Sequence, residues 1–144
     1  MNDSRLSESY RLEVDDPTVP LAELLLEKMQ IVKLNQKDVI DSIMLLREHQ
    51  VGDTDSFINV SRVAQLCSRD WGLWKTVTTN LSKLAEIAYG IEKLSEDDRS
   101  DVGRKVSDLL ARIDREPKTT AWKMRARIGE KKKWYRDVEE MHEL

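Results

Sequence analysis

The sequence predicts a mainly α protein, a bundle of about six helices with one short N-terminal strand left over from, or pairing into, a sheet. Apolar residues recur at intervals of three and four along most of the chain, the spacing of one face of a helix. Residues that favour helix starts, such as Asn35, Asp70 and Ser95, stand before several of these stretches. Because the apolar faces need partners, a bundle is the expected arrangement, and 144 residues suit a single domain.

The N-terminal part of the chain is expected to be flexible over residues 1–9 and extended over residues 10–15. Residues 10–15 alternate apolar and polar side chains, which predicts a short strand with Tyr10, Leu12 and Val14 on one face. A single strand cannot satisfy its backbone hydrogen bonds alone. We therefore expect another chain, or a further N-terminal part, to supply the rest of its sheet.

A helix pair is predicted over residues 20–49. Pro20 suits the first position of its first helix, at about 20–33. Asn35 is a plausible cap for its second helix, at about 36–49.

Three more helices are predicted over residues 57–114, after a turn or loop at 51–56. The expected caps are Asn59 or Ser61 for a short helix, Asp70 for a helix at about 71–90, and Ser95 for a helix that runs to about Asp114. Together with the helix pair and a C-terminal helix, these account for the six helices.

The net charge of −3 conceals a basic segment attached to an acidic body. Residues 115–136 contain nine basic and two acidic residues, a local charge of +7, while the rest of the chain has 15 basic and 25 acidic residues, or −10. We assign residues 115–144 to a basic C-terminal helix, which Pro117 opens and which extends over about 117–142. Gly129 could interrupt this helix.

Several classes of protein are excluded by the sequence. A single Cys excludes a disulfide framework within the chain, and the absence of an apolar run of about 18 residues argues against a membrane span. The N-terminus has no apolar stretch after a basic start, so we do not expect it to be a secretory signal. We expect a soluble, cytoplasmic protein that does not associate with membranes.

Most signals of catalytic or metal chemistry are weak. Cys67 lies among apolar residues at helical spacing, which favours a buried structural thiol over a nucleophile. His49 and His142 are far apart and have no Cys companions, so no metal site is expected. The phosphate-binding glycine motifs of nucleotide-binding folds do not occur.

The most suggestive residues lie in the predicted helix pair. Lys28 stands in an otherwise apolar helix, and Lys37, Asp38 and Asp41 follow in the next one. Asp38 and Asp41 are three residues apart and so share a helix face. A lysine can hold a phosphate, and a carboxylate can assist a metal or act as a base. The ordinary alternative is that Lys28 extends to solvent and that Lys37 and Asp41 form a solvated pair.

The stretch PLAELLLEKMQIVKLNQKDVIDSIMLLREH resembles the C-terminal motifs of nucleotidyltransferase-fold proteins of the AbiEii type, in the polymerase-β superfamily. Their pattern is roughly L-A-x-K-L, followed about ten residues later by R/K-x-K-D-x-x-D-L. The matching residues are Leu25, Glu27, Lys28 and Met29, then Lys37, Asp38 and Asp41. The stretches SRDWGLWKTVTTNLSKL and KMRARIGEKKKWYRDVEE resemble the tail of an uncharacterised subset, so the resemblance extends from about Arg11 onward.

The resemblance implies roles for these residues. Lys28 would be the family's phosphate-contacting lysine, and Asp41 its late acidic residue, with Asp38 as the nearer alternative. The strand at 10–15 would be the last strand of the catalytic sheet. Lys28, Asp38 and Asp41 are thus the catalytic residues that the resemblance names.

The chain departs from the family in lacking its Gly-Ser turn and its D-x-D pair, which hold the triphosphate and the metals. Glu13 and Asp15 share one face of the predicted strand, but no Gly-Ser turn precedes them, and the solvent face of an edge strand is the expected interpretation. We predict that this chain alone transfers no nucleotide. Magnesium and a nucleotide would bind only if the missing N-terminal part is supplied, as in a truncated or split enzyme.

Two other functions stay open. A non-enzymatic interaction module could use Trp71 and Trp74 as a partner surface, although a core role is the plainer alternative. A protein partner or a second copy could also pair with the strand edge. Nucleic acid could bind the basic segment, and the candidate contacts are Lys123, Arg125, Arg127, Lys131, Lys132, Lys133 and Trp134. A solvated face, or a basic tail folded back on the acidic body, needs no ligand.

Overall fold

Six α-helices and two very short strands follow one another in a computed structural model that describes residues 19–135. They are α1 (Leu21–Met29), α2 (Gln36–Glu48), β1 (Val51–Gly52), β2 (Ile58–Asn59), α3 (Val60–Arg69), α4 (Trp71–Tyr89), α5 (Glu96–Arg115) and α6 (Thr120–Ile128), and a 3-10 turn (Gly129–Lys131) follows α6. The prediction of a mainly α fold with about six helices is confirmed. The strand predicted at 10–15 lies outside the described residues.

Side chains close to the helix starts fix where most of the helices begin. In residues 19–135, five of the six helices have a side chain that accepts a hydrogen bond from a backbone N–H of the first turn; these caps are Asn35, Asn59, Asp70, Ser95 and Thr119. Four of them were predicted, whereas Thr119 replaces Pro117 as the start of the last helix. Pro20 precedes α1 rather than occupying its first position.

The core forms around α5, which packs against α2, α3 and α4, while α1 lies against α3 and α4. Val102, Val106, Leu109 and Ile113 of α5 are all buried and follow one another at helical spacing. None of the helices within residues 19–135 has the length and the apolar character that crossing a bilayer requires.

Lys105 lies in the middle of the buried stripe of α5 and has no exposed surface. Its ammonium donates hydrogen bonds to the carbonyl oxygens of Leu46 (2.5 Å) and His49 (2.9 Å), and it lies 2.9 Å from the carboxylate of Asp101. The two carbonyls belong to the C-terminal end of α2, where helical backbone oxygens lack partners within the helix. A buried cation therefore holds α2 to α5 by occupying an otherwise unsatisfied helix end.

Arg47 adds a second ionic link between the same two helices. Its guanidinium lies 2.6 Å from Asp98 and 2.5 Å from Asp101, and Asp98 also closes the capping box with Ser95 at the start of α5. Burial alone would raise the pKa of Asp101, but hydrogen bonds from Lys105 and Arg47 outweigh it and leave the pKa below its ordinary value. Asp101 is therefore ionised at neutral pH.

The first helix is shorter than the sequence predicts, because it ends at Met29 instead of near residue 33. The buried side-chain amide of Asn80 donates to the carbonyl oxygens of Met29 (2.8 Å) and Ile31 (2.6 Å). These bonds come from α4 and replace the bonds that a continued helix would make. The polar amide inside the core is thereby satisfied, and the chain turns toward α2.

The segment predicted as a loop at 51–56 is bounded by a two-residue parallel pair. Val51 pairs with Ile58 and Gly52 with Asn59, and the N–H of Ile58 donates to the carbonyl of Gln50 at 2.8 Å. The sequence does not predict this pairing, because two residues are too few to show the alternation of apolar and polar side chains that is typical of a strand. It closes the chain into a short loop immediately before α3.

The last helix also ends earlier than predicted. Gly129 follows α6 with φ 60° and ψ −141°, a backbone conformation that side-chain-bearing residues rarely adopt. The interruption at Gly129, expected from the sequence, therefore terminates α6, and a 3-10 turn follows it within the described residues.

We expect replacement of Lys105 by Met to lower the free energy of unfolding by about 3 kcal/mol. The reason is that Met fills similar space but leaves the two carbonyls at the end of α2 and the carboxylate of Asp101 without the ammonium. Chemical denaturation followed by far-ultraviolet circular dichroism measures the change. Lys93→Met, at an exposed position, is the matched control and should change stability by less than about 0.5 kcal/mol. Equal stability of the two variants would contradict the role of Lys105.

Asp101 should make stability depend on pH in the acidic range. Because its folded pKa lies below its unfolded value of roughly 3.9, its stabilising effect is present above that value and is lost as the pH falls through the folded pKa. Asp101→Asn should therefore be less stable than wild type at pH 7, and the difference should shrink towards pH 3. Denaturation midpoints across this range measure it, with the exposed Asp108→Asn on the same helix as control. A difference that grows on acidification would refute the assignment.

Candidate functional site

The ammonium of Lys28 lies between the carboxylates of Asp38 and Asp41 at the junction of α1 and α2. Its distances are 3.4 Å to Asp38 and 3.1 Å to Asp41. Lys28 occupies the last turn of α1, and both aspartates lie near the start of α2. The structure thus brings together the three residues that the resemblance names as catalytic.

The two aspartates differ in how firmly they are held. One oxygen of Asp38 accepts from the backbone N–H of Asn35 at 3.4 Å and completes a capping box, while the other faces Lys28. Asp41 is more exposed, with 38% of its side-chain surface accessible against 13% for Asp38. It has a second cationic partner in Lys37, at 2.9 Å. Asp38 is therefore fixed by the start of α2, and Asp41 has more freedom to exchange partners.

All of the shifted pKa values in this cluster favour the charged forms. The hydrogen bond with Asp41 raises the pKa of Lys28, and this outweighs the opposing effect of burial. Hydrogen bonds from Lys37 and Lys28 lower the pKa of Asp41. The ammonium of Lys28 therefore already has two carboxylate partners, Asp38 and Asp41. The cluster also contains the solvated Lys37–Asp41 pair that the plainer interpretation predicted.

The described residues provide no complete metal site. Within residues 19–135, no three His, Cys, Asp or Glu side chains come together in a way that could hold a metal ion. The carboxylates of Asp38 and Asp41 face a lysine ammonium instead. Glu13 and Asp15 of the predicted strand lie outside the described residues.

All four tryptophans of the chain form one aromatic cluster, which we define as Trp71, Trp74, Trp122 and Trp134 together with Tyr135. Trp71 and Trp74 of α4 have ring centroids 6.0 Å apart. Trp134 meets Trp71 edge-on at 5.6 Å, and Trp122 meets Trp74 edge-on at 5.3 Å. Edge-to-face contacts of this kind add to the stabilisation from burial. The cluster joins the C-terminal segment to α4.

Trp71 and Trp74 were candidates for a partner surface. Trp71 is 6% exposed and Trp74 is partly buried. The guanidinium of Arg125 covers the ring of Trp71 at 4.7 Å from its centroid. The face that these two tryptophans present is thus occupied by the chain's own C-terminal segment, in the manner of a core.

The candidate nucleic-acid contacts divide into packed and exposed residues. Arg125 donates to the carbonyls of Gly129 (2.8 Å) and Lys132 (2.6 Å), and the indole N–H of Trp134 donates to the hydroxyl of Thr76 at 2.9 Å. Both side chains therefore help to fold the segment. The ammonium of Lys133 lies 5.2 Å from the centroid of the Tyr135 ring. The remaining candidates, which are exposed, are Lys123, Arg127, Lys131 and Lys132.

A groove beside the aromatic cluster was not anticipated. It has a volume of about 310 Å³, and its lining includes Lys75, Thr79, Lys83 and Trp134. Lys75 pairs with Glu130 of the C-terminal segment at 2.7 Å across it. The signal in the sequence was the spacing of Lys75, Thr79 and Lys83 by four residues, which places them on one face of α4.

Cys67 is buried and packs in the core. Burial raises the pKa of its thiol to about 12, so the thiol stays protonated at neutral pH and is a poor nucleophile. Burial also lowers the pKa of His49, beside Lys105. Cys67 thus belongs to the interior of the bundle, whereas His49 is partly buried at the end of α2.

The chain was compared with models of protein families, with curated proteins and with solved structures, and nothing in any of the three matches it.

Proposed function

We propose that this chain is the helical C-terminal region of a nucleotidyltransferase-like protein and that it is catalytically incomplete on its own. The observation that supports this proposal is the meeting of Lys28, Asp38 and Asp41 within 3.4 Å at the α1–α2 junction. These residues come from two helices and are up to 13 positions apart in the sequence. They are also the residues that match the family's two motifs.

In this proposal Lys28 contacts a phosphate of the nucleotide. A phosphate oxygen that approaches the ammonium takes the place of Asp41, the more exposed of its two partners. Asp41 then keeps a cationic partner, because Lys37 lies 2.9 Å away. Asp38 remains in its capping box and fixes the start of α2. Because both lysines pair with Asp41, Lys28 can turn to a phosphate without leaving the carboxylate of Asp41 unpaired.

The turn that holds the triphosphate and the carboxylates that bind magnesium are assigned to a part of the protein outside this chain. Among residues 19–135 no group of three His, Cys, Asp or Glu side chains suits a metal, so the magnesium ligands would come from that other part. Magnesium bound elsewhere would neutralise the phosphate charge. Lys28 would supply one further positive charge from the helical side.

The gene sequence tests the origin of the chain directly. We expect the segment immediately upstream, in the same reading frame or in the neighbouring one, to encode a Gly-Ser turn followed by a D-x-D pair. An upstream segment that encodes neither element would remove the basis for the proposal.

The role of Lys28 is tested in the product that contains this chain together with that upstream segment. Transfer of a labelled nucleotide should fall by about 10²-fold or more in Lys28→Met, since one charge contact to the transferring phosphates is lost. Lys33→Met removes an equal charge from an exposed position nearby and should change transfer by only a few fold. The chain alone should show no transfer. Undiminished transfer by Lys28→Met, or equal losses in both variants, would contradict the assignment.

A further inference from the structure

The outward face of α6 carries an apolar strip beside a basic one. Ala121, Met124 and Ile128 follow one another at i, i+3 and i+7, which places them within about 60° of the helix circumference. Met124 is 61% exposed and Ile128 is 45% exposed. Lys123 and Arg127, both exposed, lie along one side of this strip. Apolar anchors at this spacing are typical of a helix that docks against another surface.

The inner side of α6 already accounts for how the helix is held. Trp122 packs against Trp74, and Arg125 lies over Trp71. No residue of α6 is buried, so the strip and the two cations on the outward face serve no packing within the described part of the chain. We call Ala121, Lys123, Met124, Arg127 and Ile128 the α6 face.

A surface of complementary character lies in the loop before α3. Asp53, Asp55 and Phe57 are all exposed, and 40% of the surface of Phe57 is accessible. Asp53 accepts from the hydroxyl of Ser61 at 3.1 Å, and Asp55 accepts from the amide of Asn59 at 3.0 Å. Both donors are neutral, so these bonds orient the carboxylates without cancelling their charge. We call Asp53, Asp55 and Phe57 the acidic loop.

The two surfaces are held at opposite ends of α3. The acidic loop immediately precedes the helix, whose start is capped by Asn59. The chain enters α6 at the other end, where the N–H of Thr119 donates to the carbonyl of Ser68 at 3.1 Å. Ten residues of helix separate these ends, a span of about 15 Å. Within residues 19–135 the hydrogen-bond partners of Asp53 and Asp55 are Ser61 and Asn59, and neither belongs to the α6 face.

We propose that the α6 face of one copy of this chain docks on the acidic loop of a second copy. Lys123 and Arg127 meet Asp53 and Asp55, and the apolar strip covers Phe57, whose ring suits contact with the sulfur of Met124. The contact joins two different surfaces, so it is head-to-tail and can extend into a ring or a row of copies. It does not depend on the proposed function.

The composition of the α6 face favours a protein partner over other occupants. Ala121, Met124 and Ile128 have no counterpart in a phosphate backbone, where cations alone would suffice. A helix that lies in a bilayer surface normally presents a larger apolar face than the three residues found here, one of which is a small alanine. A small contact with exposed charges is expected to be weak and sensitive to salt.

Sedimentation of the full chain tests the proposal. At low salt the weight-average mass should rise above the 16.8 kDa of one chain as the concentration increases, and high salt should reverse the rise. A mass that stays at one chain under all of these conditions would overturn it.

Charge exchange between copies tests which surfaces are in contact. The variants Lys123→Glu/Arg127→Glu and Asp53→Lys/Asp55→Lys should each associate about tenfold more weakly or worse, because attraction becomes repulsion. Mixing the two should restore association, since the acidic α6 face of one variant meets the basic loop of the other. Lys83→Glu/Lys93→Glu makes the same change in net charge at exposed positions elsewhere and should retain wild-type association.

Three results would overturn the assignment of surfaces. They are a mixture that stays monomeric, an equal loss in the control variant, and a monomeric wild type whose binding to tRNA is abolished by Lys123→Glu/Arg127→Glu. The last result would make the α6 face a nucleic-acid surface instead. Circular dichroism of each variant verifies that the helices are intact.

Discussion

The buried ammonium of Lys105 is the constraint on which the arrangement of the helices depends. A lysine without exposed surface must find partners for its charge, and it finds them in two carbonyls at the end of α2 and in Asp101. This requirement fixes where α2 ends relative to α5, the helix around which α2, α3 and α4 pack. Because α1 meets α2 at Lys28, the position of α2 also determines that Lys28, Asp38 and Asp41 come together.

The ends of the helices show what could be predicted from the sequence. Helix starts are fixed by side chains within three residues of the backbone groups they bind, so Asn35, Asp70 and Ser95 were identified without a structure. Helix C-termini are satisfied from far away: Asn80 is 51 residues from Met29, and Lys105 is 59 residues from Leu46. No local pattern marks such partners. The early end of α1 and the buried lysine therefore emerged only from the packing of the chain.

The candidate site was predictable to the extent that its parts are local. Lys28, Asp38 and Asp41 lie on two consecutive helices, and a short connection makes their meeting a reasonable expectation. The aromatic cluster was not predictable, because Trp71 and Trp74 find Trp134 and Trp122 about fifty or more residues later. From spacing alone, a pair of tryptophans that faces the core cannot be distinguished from a pair that is exposed and anchors a partner. The sequence also does not show which basic residues of the C-terminal segment are packed and which are exposed. The structure shows that Arg125 packs against Trp71, whereas Lys123 and Arg127 are exposed.

The gathering of every tryptophan into one place has a spectroscopic consequence. Indole emission responds to its immediate surroundings, so the intrinsic fluorescence of this protein reports almost entirely on the contact between α4 and the C-terminal segment. Separation of that segment would alter the emission while the helices around Lys105 stay folded. Loosening of α1 and α2 would leave the emission nearly unchanged. Fluorescence and helical circular dichroism would then give unfolding curves that do not coincide, and the gap between them would measure how independently the segment separates from the bundle.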